Sequence, residues 1–181
     1  NWGEFGSETP EWNKNIGTFP GSLEVLAHAA AGESQRALDL ISLCWGYMLA
    51  SPNSTQSTFW EGFLKTGQFG YQGIYMSHAH AWATGPAIAL TNFILGLRPL
   101  EASKTSYLFS PQPNRGGGKV KPLLSVSGSR NVPGGTLFVD WTVGDGYFAP
   151  STPKKNSLTC RVAVGVDNSE IFNDVLVQIA A

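Results

Sequence analysis

The feature that most constrains this 181-residue chain is a change of period near residue 100. Upstream, apolar side chains recur at three-and-four spacing; downstream, they alternate with polar ones between Gly and Pro turns. The first pattern lays a stripe along a helix and the second lines one face of a strand, so the chain is not one repeating architecture. The expected fold class is α+β in two modules, residues 1–100 helical and residues 101–181 a small antiparallel β-sandwich. A chain of this length holds one ordinary domain or two small ones and buries a sizeable core.

In the first module, PGSLEVLAHAAAG places Pro20 in an early turn, sets Leu23, Leu26, Ala27 and Ala30 on one face, and stops at Gly32. ESQRALDLISLCWGYMLA follows, with Ala37, Ile41, Cys44, Trp45 and Met48 on a stripe widened by Leu38, Leu40 and Leu49. The two predict a helical hairpin. After a loop at Ser51-Pro52-Asn53 the pattern predicts a short helix from Thr58 to Leu64, then a glycine-rich segment, KTGQFGYQGIYMS. A last helix is expected from about Ala81 to Leu95, apolar nearly all round and small at Ala83, Gly85, Ala87 and Ala89. Pro86 lies in its first turn or kinks it, and Gly96 ends it.

In the second module Leu137, Val139, Trp141 and Val143 alternate along GTLFVDWTV, and Leu158, Cys160, Val162 and Val164 along SLTCRVAV. LLSVS and VLVQIA supply further strands. Turns fall at Pro133-Gly134-Gly135 and Gly144-Asp145-Gly146, and SPQPNRGGGK reads as a loop.

Twelve basic and thirteen acidic residues leave a net charge of −1 with no block of like charge, which argues against a nucleic-acid or membrane-surface partner and for an uncharged ligand. The longest apolar stretch, HAWATGPAIALTNFILGL, is interrupted by Gly85, Pro86 and Asn92 and reads as a buried helix rather than a membrane span. Cys44 and Cys160 make no metal spacing; two separate thiols are favoured over a bridge. Asn53-Ser54-Thr55 is a glycosylation sequon, in keeping with a secreted setting. The opening NWGEFGSETPEWNK lacks an initiator Met and reads as an internal start.

Glu61 is the one carboxylate in the nearly uncharged run SPNSTQSTFWEGFLKTGQFGYQG. Two readings stand side by side. Thr58-Phe59-Trp60-Glu61 matches a capping box, in which the carboxylate reaches back to the Thr58 amide. Alternatively Glu61 does chemistry on a ligand; glycoside hydrolysis ordinarily takes two carboxylates, and no second one is evident here. His78 and His80 precede the last helix with Trp82. In an extended segment all three face one way, and in a helix His80 turns away. Two His with no Cys or acidic partner nearby make an incomplete metal set, so no metal is expected. Each of Trp45, Trp60, Trp82, Phe69 and Tyr71 suits a core position; clustered, they would offer flat faces to a sugar ring.

Together, SPNSTQSTFWEGF and SHAHAWATGPAIALTNFILGLRPL resemble the carboxyl-terminal part of the α-L-rhamnosidases of glycoside hydrolase family 78, especially fungal ones. In that family a Thr-x-Trp-Glu segment precedes a His-x-Trp-x-x-Gly-Pro helix and then a β-domain, and all three occur here in that order, over roughly residues 15 to 165. The resemblance implies a catalytic (α/α)6 six-hairpin barrel that removes terminal α-L-rhamnose with inversion, without a cofactor. It implies that Glu61 is the general base, that His80 contacts the sugar, and that Trp60, Trp82 and His78 lie near it. It favours catalysis over capping for Glu61.

The family's general acid lies in an earlier Asp- and Glu-rich segment, and none precedes residue 18. Six hairpins need about 200 residues, against about 80 that look helical here. The expectation is therefore the last hairpins of a barrel plus its β-domain, inactive alone, extracellular, and partnered by the rest of the barrel or a companion chain. The tail DNSEIFNDVLVQIAA matches nothing in the family pattern. The alternatives are another six-hairpin glycosidase, a fucosidase or uronyl hydrolase, and a non-catalytic carbohydrate-binding piece.

Overall fold

The computed structural model of the protein describes residues 2–70, 75–100, 106–133, 135–144, 158–166 and 174–177. The ring of Tyr71 and most of the turn expected at Gly144-Asp145-Gly146 lie outside them. The chain is α+β and divides into two compact units, Asn1–Ala89 with Gly117–Val120, and Leu90–Gly116 with Lys121–Ala181.

The first unit opens on a sheet of four short antiparallel strands in sequential order: β1 (Trp2–Gly3), β2 (Gly6–Thr9), β3 (Asn15–Gly17) and β4 (Gly62–Phe63). Asn13 and Lys14, both at positive φ, turn the chain from a 3-10 segment at Pro10–Trp12 into β3. α1 (Thr18–Ala30) carries Pro20 at its third position, where the missing amide hydrogen costs no helical bond. It ends in a Schellman motif: Gly32 takes φ 79°, its N–H bonds Ala29 O, and the Glu33 N–H bonds His28 O. α2 (Ser34–Ala50) returns along it and buries Ala37, Leu38, Leu40, Cys44, Trp45 and Met48 of the expected stripe, whereas Ile41 is half-buried and Leu49 is 42% exposed.

The buried face of α1 differs from the expected one. Thr18, Gly21, Ser22, Val25 and Ala29 face inward, while Leu23 is 54% exposed and Ala27 and Ala30 face solvent. Shape is the reason. A Cβ on Gly21 would lie 3.3 Å from the Trp45 ring, and one on Gly85 would lie 2.5 Å from the Ser22 Cβ. The bare backbone thus lets a large ring and a neighbouring helix approach more closely than leucines would permit.

The helix expected over Thr58 to Leu64 is absent: residues 62–63 form β4, pairing Ile16 with Phe63 and Gly17 with Gly62. Trp60 and Phe63 are both fully buried and meet edge to face at 5.7 Å, a core-filling role that outweighs the local capping pattern. The final helix is also not uniform. A 3-10 turn at Ala81–Thr84 leads into α3 (Gly85–Ala89), whose second residue, Pro86, has no amide hydrogen to extend α-type bonding backward. Leu90–Ile94 is a π-turn closed by the Leu95 N–H on Leu90 O. Gly96 then takes φ 88°, where any side chain would strike Pro111. Among the described residues there are three α-helices, and they do not amount to a six-hairpin ring.

The second unit holds two three-stranded sheets. One has the order β10 (Asp174–Val177), β6 (Ser106–Phe109), β5 (Leu97–Pro99), with β10 parallel to β6 and β5 antiparallel to it. The other is an antiparallel meander of β7 (Ser125–Val132), β8 (Gly135–Val143) and β9 (Leu158–Val166). Their inner faces share one core: Leu97, Tyr107 and Phe109 from the first sheet meet Leu137, Val139, Trp141 and Val143 from the second. The Trp141 Nε1–H is satisfied in this core by Ile94 O at 2.9 Å. Cys44 and Cys160 are both free thiols.

Candidate functional site

Antiparallel pairing of β3 with β4 sets Glu61 one residue beyond the ladder, opposite Thr18, where α1 begins. The Glu61 backbone is held from both sides. The Thr18 N–H donates to Glu61 O at 3.1 Å, and the Glu61 N–H donates to Ser77 O at 2.9 Å. The fully buried Thr18 hydroxyl lies 2.6 Å from Trp60 O and 2.9 Å from Glu61 O. The His80 N–H donates to Phe59 O at 2.8 Å, so residues 77–80 run beside 59–61.

The carboxylate caps nothing. Its Oε2 accepts the Ser77 N–H at 3.1 Å, while the Thr58 N–H goes to Thr55 Oγ1 at 3.1 Å. The capping reading of Glu61 therefore fails: no helix starts at Thr58, so no orphan amides wait there for a carboxylate. Oε1 has no protein partner among the described residues.

Glu61 lines a cavity of about 270 Å³ together with His80, Trp82, Trp12, Phe19 and Pro20. His80 and Trp82 meet edge on at 5.7 Å, and Phe19 lies against Trp82 at 5.0 Å. Trp82 is 66% exposed and Phe19 42%, so two aromatic faces border this cavity from solvent. Trp12 reaches it because Gly62 has no side chain: a Cβ there would lie 2.6 Å from Ile16 O and 2.8 Å from the Trp12 ring. Aromatic walls with a few placed polar groups suit a neutral ring-shaped ligand with apolar faces.

Of the residues singled out in the sequence, Glu61, His80 and Trp82 come together. Trp60 sits in the core behind them, fully buried between Tyr47, Phe63 and Phe69. His78 is exposed and stacked on Phe69 at 4.3 Å, outside the cavity lining. The chain bends at residues 78–79, which breaks the extended alternation that would have aligned His78 with His80. Asn53 is exposed in the turn after α2, its N–H on Ser51 Oγ at 3.3 Å. Trp12, Phe19 and Thr18 were not legible as site residues, because nothing local links positions 12–19 to position 61 before β3 and β4 pair.

A second cluster in this unit gathers around Glu24. The Trp2 Nε1–H donates to Glu24 Oε1 at 2.7 Å, His28 Nε2 lies 3.4 Å from the same oxygen, and Arg36 sits 5.0 Å over the Trp2 ring. Partial burial raises the Glu24 pKa, but hydrogen bonds from Ser7 and Trp2, together with the neighbouring His28 imidazole, outweigh it and hold the carboxyl below its ordinary value. In the second unit a concavity of about 640 Å³ lies on the outer face of the β7–β8–β9 sheet, where Asp140 is already paired with Arg161 at 3.0 Å. It offers more room and less chemistry than the Glu61 cavity.

Among the described residues no His, Cys, Asp and Glu group could hold a metal ion, and no helix is long and apolar enough to cross a membrane. No protein-family model matches the chain, and no curated protein matches it.

Proposed function

We propose that this chain is the base-bearing, carboxyl-terminal portion of an inverting α-L-rhamnosidase, with α1, α2 and α3 as the last helices of a six-hairpin barrel. The observation that carries the reading is the meeting of Glu61, His80 and Trp82 around one aromatic-walled cavity. Supporting it is the sequence likeness of the Thr-x-Trp-Glu and His-x-Trp-x-x-Gly-Pro segments.

Glu61 takes a proton from a water molecule as the water attacks the anomeric carbon, on the face opposite the departing oxygen. An acid from the rest of the barrel protonates that oxygen, with the two carboxyls about 6.5–9.5 Å apart to leave room for the water. The Ser77 amide on Oε2 orients the carboxylate and leaves Oε1 for the water. His80 bonds a sugar hydroxyl, and the aromatic faces pack against the ring and the methyl group of the deoxy sugar. His78 and Trp60 support the site from behind rather than touching substrate. Without the acid the chain binds sugar and does not turn it over.

Among the described residues the cavity lining contains no Lys or Arg to pair with a uronate carboxylate, which favours a neutral deoxy sugar over the substrate of a uronyl hydrolase. The setting is extracellular, with a glycan on Asn53, and the substrates are plant glycosides or pectic side chains.

The test is the Glu61→Gln variant of the full-length polypeptide, assayed on an aryl α-L-rhamnoside. Loss of general-base help should lower kcat by about 10²–10⁴-fold. Binding of free L-rhamnose, measured by titration calorimetry, should change little. In Glu61→Ala, added azide should restore turnover and yield the β-configured rhamnosyl azide. Undiminished turnover in Glu61→Gln sinks the assignment.

A further inference from the structure

We propose that Thr18 is the positioning residue for Glu61, a role that rests on the reading of Glu61 as the general base. Thr18 is 0% exposed, and its hydroxyl has one proton for two carbonyl oxygens, Trp60 O at 2.6 Å and Glu61 O at 2.9 Å. Those carbonyls belong to consecutive peptides. In an extended strand, successive carbonyls point to opposite sides, so both can approach one hydroxyl only if the chain bends between them. Residue 61 is such a bend, placed immediately before β4.

The bend aims the side chain. Direction at Cβ follows from the backbone angles at Glu61, and these are set by the Thr18 N–H and hydroxyl on one side and by Ser77 O on the other. The carboxylate then meets the Ser77 N–H at 3.1 Å and borders the cavity. Without the Thr18 hydroxyl, Trp60 O is left in a buried place with nothing offered by residue 18, and the bend relaxes toward strand geometry. The Thr18 N–H bond to Glu61 O survives any substitution but proline, so the fold is retained while the aim is lost. Thr18 contacts no reacting atom in this scheme. Its effect is felt in the reaction step rather than in sugar binding.

The experiment compares wild type, Thr18→Val, Thr18→Ser, Thr18→Ala and Glu61→Gln in the full-length polypeptide on an aryl α-L-rhamnoside, with rates expressed per mole of folded protein. Valine keeps the shape and removes the hydroxyl. A carboxylate misplaced by about 1 Å should cut kcat about 10–100-fold. KM should stay within about threefold, as for an interaction realised only in the transition state. Serine should restore most of the lost rate. If the valine does not fold, the Ser and Ala variants, which differ by one oxygen, carry the same test: serine should exceed alanine at least about tenfold in kcat.

Equal kcat in Thr18→Ser and Thr18→Ala, or a rise in KM with kcat unchanged, overturns the role of Thr18 while a dead Glu61→Gln leaves the base intact. Full turnover in Glu61→Gln, or none in the wild type, overturns the general-base reading and this inference with it.

Discussion

In the second unit, the residues that build the core are neighbours in a pattern: Leu137, Val139, Trp141 and Val143 are inward on β8, and Phe138 between them is half exposed. In the first unit, the residues that build the cavity come from positions 12, 19, 61, 80 and 82, and the bonds that hold Glu61 span 16 to 43 residues. The β-unit is thus stabilised by a periodic face, whereas the cavity depends on a few polar clamps and on Gly62, where an added Cβ would press on Ile16 O and the Trp12 ring. A periodic face tolerates adjustment along its length; a clamp or a bare backbone contact tolerates very little.

That contrast is open to attack, beginning where the expected effect is largest. Trp141→Ala removes the largest inward side chain of β8 and leaves Ile94 O without its donor, and should destabilise the protein by about 3–5 kcal/mol. A urea midpoint that implies less than about 1 kcal/mol would mean that alternation is not what holds the second unit.

Gly62→Ala adds one methyl group against Ile16 O and the Trp12 ring, with a cost of about 1–3 kcal/mol. The same change should displace Trp12 from the cavity wall. Unaltered tryptophan fluorescence with native stability would show the close approach to be unnecessary, and would weaken the contrast from the other side.

The smallest effect concerns acid. The Glu24 pKa is lowered in the folded chain, so this carboxylate stabilises the fold above its ordinary pKa, and the contribution is lost as pH falls through the depressed folded value. Because Glu24 is only partly buried and solvent screens its partners, the contribution is under about 1 kcal/mol. Denaturation midpoints of wild type and Glu24→Gln should therefore differ at pH 7 and converge toward pH 3. A constant gap across that range would contradict the titration.

Several elements were legible in the sequence. The α1–α2 hairpin followed from the α2 stripe and Gly32, and β8 and β9 from their alternation. Pattern failed where several signals competed. Thr58 to Leu64 carried a capping box, but burial of Trp60 and Phe63 and pairing with β3 overrode it. On α1 the leucines suggested one face, and the contacts of Gly21 and Ser22 selected another. Strands β1 to β3 left no mark, because short polar and Gly-rich segments lack a period. For the candidate site, Glu61, His80 and Trp82 stood out as chemically suitable, while Trp12, Phe19 and Thr18 did not.

The amino-acid order by itself determined the α1–α2 hairpin, the paired strands β8 and β9, and which side chains are capable of acid–base or sugar-packing roles. Tertiary structure alone decided which face of α1 is buried, that Glu61 lies at a strand-edge bend rather than a helix start, and which aromatics share its cavity. The reason is physical. Periodicity records how often a segment meets the interior, a property of the segment, whereas close packing and shared hydrogen bonds depend on the shape and donors of partners many residues away.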